Sequence, residues 1–381
     1  MNNLSLPQAP PSRLVLADGS TFVGRSFAAP RQVRGEVVFH TGLVGYVEAL
    51  TDPSYRGQIL ALTYPLQGNY GVPAAAAASA LPPVFESDRV QVAGLIVAQY
   101  TEVPSHHAAE KSLGAWLAEH NVPALCGIDT RALTKRLRQH GTLLGALLSD
   151  GTDAATGLAQ AAMTDMAHVA EAVQPRTVRH YEGSGPRILV LDTGCKESIV
   201  ASLLSRGAAV VRAPASAPWE ELLDRCDGVL LGNGPGDPKD LPQLVDRIRK
   251  LFAFRGGSLP LFGICLGHQL LARAAGAETY KLPFGHRSHN QPVLDLMSRR
   301  AYVTSQNHGY AVDDTTLPAD FTPWFVSLND GTSEGLRHRY RPIFSVQFHP
   351  EAAAGPRDTA FLFDEFLRMV TAIKSSQAVR S

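Results

Sequence analysis

The stretch Pro260-Leu-Phe-Gly-Ile-Cys-Leu-Gly-His-Gln-Leu-Leu-Ala272 constrains this chain more than any other. A short apolar run, a cysteine between two glycines and a helical pattern follow one another. They predict a strand that turns abruptly into a helix, with Cys265 at the bend. Such a bend crowds the backbone, so Gly263 and Gly267 keep side chains out of the corner. The first N–H groups of the helix, beginning near Leu266, have no intrahelical acceptor and point back toward the sulfur. Their partial positive charge favours the reactive thiolate, and the same groups can stabilise an oxyanion on an attacked carbonyl. Taken alone, Cys265 reads equally well as an ordinary buried thiol.

A second stretch, Phe344-Ser-Val-Gln-Phe-His-Pro-Glu351, tips the balance. It reads as a buried strand running into His349 and ended by Pro350, with Glu351 two residues beyond the imidazole. A histidine at a strand end reaches a thiol on a neighbouring strand end, and a nearby carboxylate fixes its tautomer. Cys265, His349 and Glu351 then form a nucleophile, base and orienter set. With Gly263-Ile-Cys-Leu-Gly-His-Gln269 and His349-Pro-Glu351, the chain resembles the triad-type glutamine amidotransferases. Gly232-Asn-Gly-Pro-Gly-Asp-Pro238 and Ser305-Gln-Asn-His-Gly-Tyr310 are similar to two further motifs of that family, the latter in the form found in carbamoyl-phosphate synthetases.

The resemblance implies that Cys265 attacks the side-chain amide of glutamine and that Gly234 and Gly236 contact this substrate, their loop helping to form the oxyanion hole. It implies the same pocket for Ser54, Gln269, Asn307, Gly309 and the main chain of Leu266, with backbone contacts at Tyr310, where bacterial members often have Phe. Gln269 lies one helical turn after Cys265, which suits its amide to that pocket. The Gly232–Gly236 loop lacks the spacing of a dinucleotide loop. His268 and His308 neighbour the motifs and stand outside the triad.

At 381 residues the chain is too long for one ordinary domain, and two are expected. An α/β unit over 1–150 carries the β-rich runs Arg13–Leu16, Thr21–Gly24, Gly35–Phe39 and Gln58–Leu62, then helices over Ser105–His120 and Thr130–His140. Residues 151–186 read as a connector. From Arg187 to the end, strands and helices alternate, which predicts a second α/β domain over 187–381 with a mostly parallel sheet. Ligands bind at the carboxyl ends of such strands. Gly232, Cys265 and His349 each follow an apolar run, which places them at one rim. The run Ala74–Ala78, with Leu81-Pro-Pro83 after it, reads as a loop or short helix.

Gly35-Glu-Val-Val-Phe39, Gly45-Tyr46, Leu50-Thr-Asp-Pro-Ser-Tyr55, Leu62-Thr-Tyr-Pro65 and Gly68-Asn-Tyr-Gly71 closely resemble the amino-terminal domain of the carbamoyl-phosphate synthetase small subunit. Phe85-Glu-Ser87 and Arg287-Ser-His-Asn-Gln-Pro292 look closer to the glutaminase part of the fused eukaryotic enzymes. The resemblance implies a glutaminase that passes ammonia to a large subunit, which makes carbamoyl phosphate from bicarbonate with ATP and magnesium. No cofactor is expected on this chain, which has no phosphate-binding Gly-x-x-x-x-Gly-Lys-Ser/Thr. The alternatives are an amidotransferase serving another synthetase, a non-catalytic regulatory homologue, and a triad thiol peptidase.

Lys plus Arg equals Asp plus Glu at 35 each, with no basic block, which argues against a nucleic-acid or anionic-membrane partner. Neither a signal-peptide pattern nor a membrane-spanning apolar run is seen, so a cytoplasmic chain is expected. Cys126, Cys195, Cys226 and Cys265 are too widely spaced to suggest a zinc site or a disulfide framework, and the first three read as structural.

Overall fold

The protein was analysed as a computed structural model that describes residues 11–74 and 85–378. The opening stretch before Pro11 and nearly all of the alanine run with its prolines lie outside the described residues. Two compact units emerge among the described residues, one of residues 11–74 and 87–166, the other of 85–86 and 167–378. The segment 151–186, expected as a connector, is shared out between them. Ala162–Met163 pairs in parallel with Val33–Arg34 of the first unit, and Arg179–Tyr181 pairs antiparallel with Val210–Arg212 of the second. Each short strand satisfies backbone groups that a sheet edge would otherwise leave open.

The first unit is built on an eight-stranded sheet. The strand Leu143–Ser149 pairs with both Pro11–Leu16 and Val33–His40, so the sheet closes on itself. The helix Thr130–His140 forms as expected, capped by Asp129 at its start and ended by Gly141 with φ 84°. The helix expected over Ser105–His120 is shorter. Ala109–Lys111 is extended and pairs with Val72–Pro73, and Ser112 then caps a helix over Leu113–Glu119 by accepting from Ala115 N–H.

In the second unit a ten-stranded sheet carries helices on both faces. Its central five strands, in the order Ala209–Pro214, Arg187–Asp192, Gly228–Leu231, Leu261–Ile264 and Ile343–Val346, are parallel to one another. The expected mostly parallel sheet is this half. The other strands, among them the long hairpin Glu278–Asp295 and Ala301–Asp313, add on antiparallel. Alternate residues of the parallel strands sort to opposite faces. Leu189, Leu191, Val229, Leu231 and Leu261 pack with the helices Pro242–Leu251 and Leu266–Ala275. Ile188, Val190, Leu230, Phe262 and Phe344 pack with Glu197–Leu204 and with Phe363 and Phe366 of the last helix. Burial on both faces explains why these strands read as unbroken apolar runs. No helix among the described residues is long and apolar enough to cross a membrane.

Candidate active site

Cys265 directly follows the strand Leu261–Ile264 and is the N-cap of Leu266–Ala275, with φ 55° and ψ −108°. Such a conformation costs a non-glycine residue about 1–3 kcal/mol and persists only where the surroundings enforce it. Here the adjacent strands do so: Cys265 N–H donates to Val346 O at 2.9 Å and Gly267 N–H to Gly232 O at 3.0 Å. Both flanking glycines are obligatory. A Cβ on Gly263 would lie 2.7 Å from Gly267 O, and one on Gly267 would lie 2.2 Å from Leu231 O. The Cys265 side chain is buried, with Sγ 3.8 Å from Asn307 O. Among the described residues the Leu266 N–H, next to the sulfur, has no acceptor.

His349 follows the adjacent strand Ile343–Val346, and its N–H donates to Ser305 O at 2.9 Å. Its Nδ1 lies 2.6 Å from Glu351 Oε1. Nδ1–H therefore belongs to the carboxylate, and Nε2 is the nitrogen left for a thiol proton. Nε2 is buried and makes no hydrogen bond among the described residues. Lys196 Nζ donates to the same Glu351 Oε1 at 3.1 Å, and to the carbonyls of Ala352 and Ala353 at 3.0 and 3.3 Å.

Burial would lower the pKa of His349, but the Glu351 charge and the interaction with Cys265 outweigh it and raise the imidazole to about 10. Burial would likewise raise Glu351, yet Lys196 first and His349 second pull it down to about 2. An imidazolium is thus stabilised beside a permanently ionised carboxylate. This is the charge state a thiolate nucleophile needs from its base.

The loop after Gly228–Leu231 reaches the same rim. A Cβ on Gly234 would meet Thr193 O at 2.2 Å, and Gly236 has φ +101°, so both positions depend on glycine. Asn233 Oδ1 accepts from Lys196 N–H at 2.9 Å, which ties this loop to the end of the strand Arg187–Asp192. Gln269 Nε2 donates to Tyr310 O at 2.9 Å and to Gln347 Oε1 at 3.0 Å. Both amide hydrogens are thereby spent on the protein. Asn307, Gly309 and Tyr310 share the strand Ala301–Asp313, and Gly309 leaves room for the Arg287 guanidinium. Ser54 belongs to the first unit, where its N–H donates to Asp52 Oδ1 in the turn Pro53–Tyr55.

His268 is wholly buried, its Nδ1 2.9 Å from Ser345 Oγ, and burial pushes its pKa down to about 3. It is a neutral core residue. Burial raises Cys195 well above the ordinary thiol range and Cys226 to about 11, which accords with their structural reading. Among the described residues, one group has metal-ligating atoms close together, namely His286, His308 and Glu334. Those atoms are engaged: His286 Nε2 meets Asp330 Oδ2 at 2.8 Å and Nδ1 meets Glu334 Oε1 at 3.2 Å, while His308 Nδ1 donates to Tyr310 O at 2.8 Å. Against burial, Glu334 and Asp330 raise His286 to about 9, so an imidazolium supplies the positive charge there.

Lys196 escaped the sequence reading, which weighed Cys195 beside it. The signal was available, since Lys196 follows a buried strand as Gly232 and Cys265 follow theirs.

Residues 189–369 match the class-I glutamine amidotransferase family, and residues 14–147 match the CPSase domain of the carbamoyl-phosphate synthase small chain. The carbamoyl phosphate synthase arginine-specific small chain of Neosartorya fischeri is 47% identical over 369 residues, covering 95% of this chain and 80% of that protein. The multifunctional protein pyr-3 of Neurospora crassa is 45% identical over 388 residues, covering 94% of this chain and 21% of that protein. A glutamine amidotransferase structure from Thermotoga maritima aligns with 51% of this chain and 97% of its own, at 18% identity and a TM-score of 0.35. The chain belongs to the carbamoyl-phosphate synthase small-chain family, with a class-I glutamine amidotransferase domain following the small-chain domain.

Proposed function

We propose that this chain is the cytoplasmic glutaminase subunit of carbamoyl-phosphate synthase. Glutamine binds at the rim, His349 Nε2 holds the proton taken from the Cys265 thiol, and the resulting thiolate Sγ attacks the side-chain carbonyl. The Leu266 N–H and the Gly232–Gly236 loop receive the oxyanion. His349 gives this proton to the amide nitrogen as the C–N bond breaks, so that ammonia leaves and a thioester remains on Cys265. Water then gives a proton to His349 and adds to the thioester, the C–S bond breaks to release glutamate, and the proton held by His349 is again shared with the freed Cys265 sulfur. Glu351 orients the imidazole throughout, and Lys196 holds Glu351. Gly234, Gly236, Gln269, Asn307, Gly309 and Tyr310 complete the substrate contacts. Ammonia passes to the large subunit, which binds ATP and magnesium and makes carbamoyl phosphate from bicarbonate.

The observation that carries this reading is the 2.6 Å contact of His349 Nδ1 with Glu351 Oε1, on the strand end next to Cys265. The test is ammonia release from glutamine by the wild type and C265A, alone and with a large subunit supplied with ATP and bicarbonate. Release that rises with the partner and vanishes in C265A is expected. A formed complex that hydrolyses no glutamine would overturn the reading.

A further inference from the structure

Phe85-Glu-Ser87 marks lineage in the sequence and has no part in the chemistry above, yet Glu86 is fully buried within the second unit. Its Oε2 accepts from Ser198 N–H at 3.1 Å and from Ser198 Oγ–H at 2.7 Å, and its main-chain carbonyl accepts from Glu197 N–H at 3.1 Å. These donors open the helix Glu197–Leu204, whose N-cap is Lys196. Glu86 therefore fixes the backbone from which Lys196 reaches Glu351. Capping alone does not account for it. A helix start is capped as well by Ser, Thr, Asp or Asn at its own N-cap, without the cost of desolvating a carboxylate.

Charge supplies the missing reason. Burial raises the pKa of Glu86 to about 7, the Lys196 ammonium opposes that rise, and the Glu351 carboxylate adds to it. The Lys196 ammonium, in contact with Glu351, thus also acts electrostatically on the buried Glu86 carboxylate. The more of its field Glu86 takes up, the more of the Glu351 charge remains for the His349 imidazolium.

We propose that Glu86 is a positioning residue for glutamine hydrolysis, which holds Lys196 against Glu351 and thereby sets the orientation and basicity of His349. The proposal rests on the glutaminase reading. The charged and titratable groups that bear on this line are Lys196, Glu351, His349 and Cys265 along it, His289 and His308 beside it, and the Arg212, Asp192 and Glu197 cluster around Cys195. Above about pH 7, where Glu86 is ionised, Glu86→Gln removes one negative charge from this set, and it keeps an oxygen for Ser198.

Two measurements on the complex with the large subunit decide the matter: the pH profile of kcat/KM for glutamine hydrolysis, and the pH dependence of iodoacetamide alkylation at Cys265, read by peptide mass. Loss of a nearby negative charge lowers the pKa of a base and of a thiol alike. Above pH 7, where Glu86 is ionised, the basic limb of the profile should move to lower pH by about 0.5 unit in E86Q, and the pH at which Cys265 is half-alkylated should move the same way. The value of kcat should fall several-fold while KM changes by less than about twofold, as for a residue outside the binding contacts. Glu86→Asp, which keeps the charge, should restore the midpoints. Wild-type midpoints in E86Q would overturn the proposal and leave Glu86 a helix cap. Should the wild-type complex hydrolyse no glutamine, the functional reading would fall, and the Cys265 alkylation curves would still decide the role of Glu86.

Discussion

Gly267→Ala offers the sharpest test of how the elbow is held. The new Cβ would lie 2.2 Å from Leu231 O, 2.6 Å from Leu231 C and 2.7 Å from Leu231 Cβ. Backbone cannot rotate away as a long side chain can, and Cβ contacts under 3.0 Å are essentially never seen, so the helix start must retreat by at least about 0.8 Å. That motion stretches the 3.0 Å bond from Gly267 N–H to Gly232 O. The overpacking costs about 1–3 kcal/mol and the weakened hydrogen bond about 1 kcal/mol more. A displacement near 1 Å at a nucleophile lowers the rate by roughly 10²-fold. Urea unfolding and glutamine hydrolysis should therefore fall together. Gly276→Ala is the control, at the other end of the same helix, with open space around its Cβ and φ +108°. It should lose about 1 kcal/mol of stability from backbone strain and keep wild-type kcat/KM. Wild-type stability and activity in G267A would refute the steric account of the elbow, as would an equal loss of activity in G276A.

Lys196→Met should destabilise the protein by about 3–5 kcal/mol, because it leaves the buried Glu351 without its ammonium. It should also lower kcat/KM for glutamine about 10²-fold as Glu351 loosens its hold on His349, and steady-state kinetics with a urea titration check both. His268 contributes to the acid sensitivity of the core, together with His308 and His289, whose pKa values burial also lowers. Its folded pKa is about 3 against 6.5 for the free side chain, so below pH 6.5 the unfolded chain takes up a proton that the folded chain refuses. Its share of stability is complete above pH 6.5 and declines by up to about 1.4 kcal/mol per pH unit down to pH 3. In His268→Gln the difference in urea midpoint between pH 7 and pH 5 should shrink accordingly. Finally, Cys195 and Cys226 should stay unalkylated in the native protein at pH 8 while Cys265 reacts, as peptide mass mapping would show.

What could be read from the sequence alone was local. The strand, bend and helix around Cys265 depend on residues within a few positions of one another, and two glycines were enough to announce the crowding there. The parallel core was legible for a similar reason, since burial on both faces writes itself as unbroken apolar runs. The same local reading overran at Ser105–His120, where pairing with Val72–Pro73 competes for the backbone and Ser112 starts the helix late. The antiparallel half of the second sheet and the shared fate of 151–186 depend on pairing partners far away in the chain. Tertiary structure alone decided the electrostatic support of the site. Lys196 and Glu351 are 155 residues apart in sequence and 3.1 Å apart in space. Glu86 lies 112 positions before the Ser198 it caps. Charges act through distance and solvent exclusion, neither of which is written along the chain, so Glu351 was legible beside His349 but its pairing with Lys196 and the burial of Glu86 became visible only once the strands had brought them together.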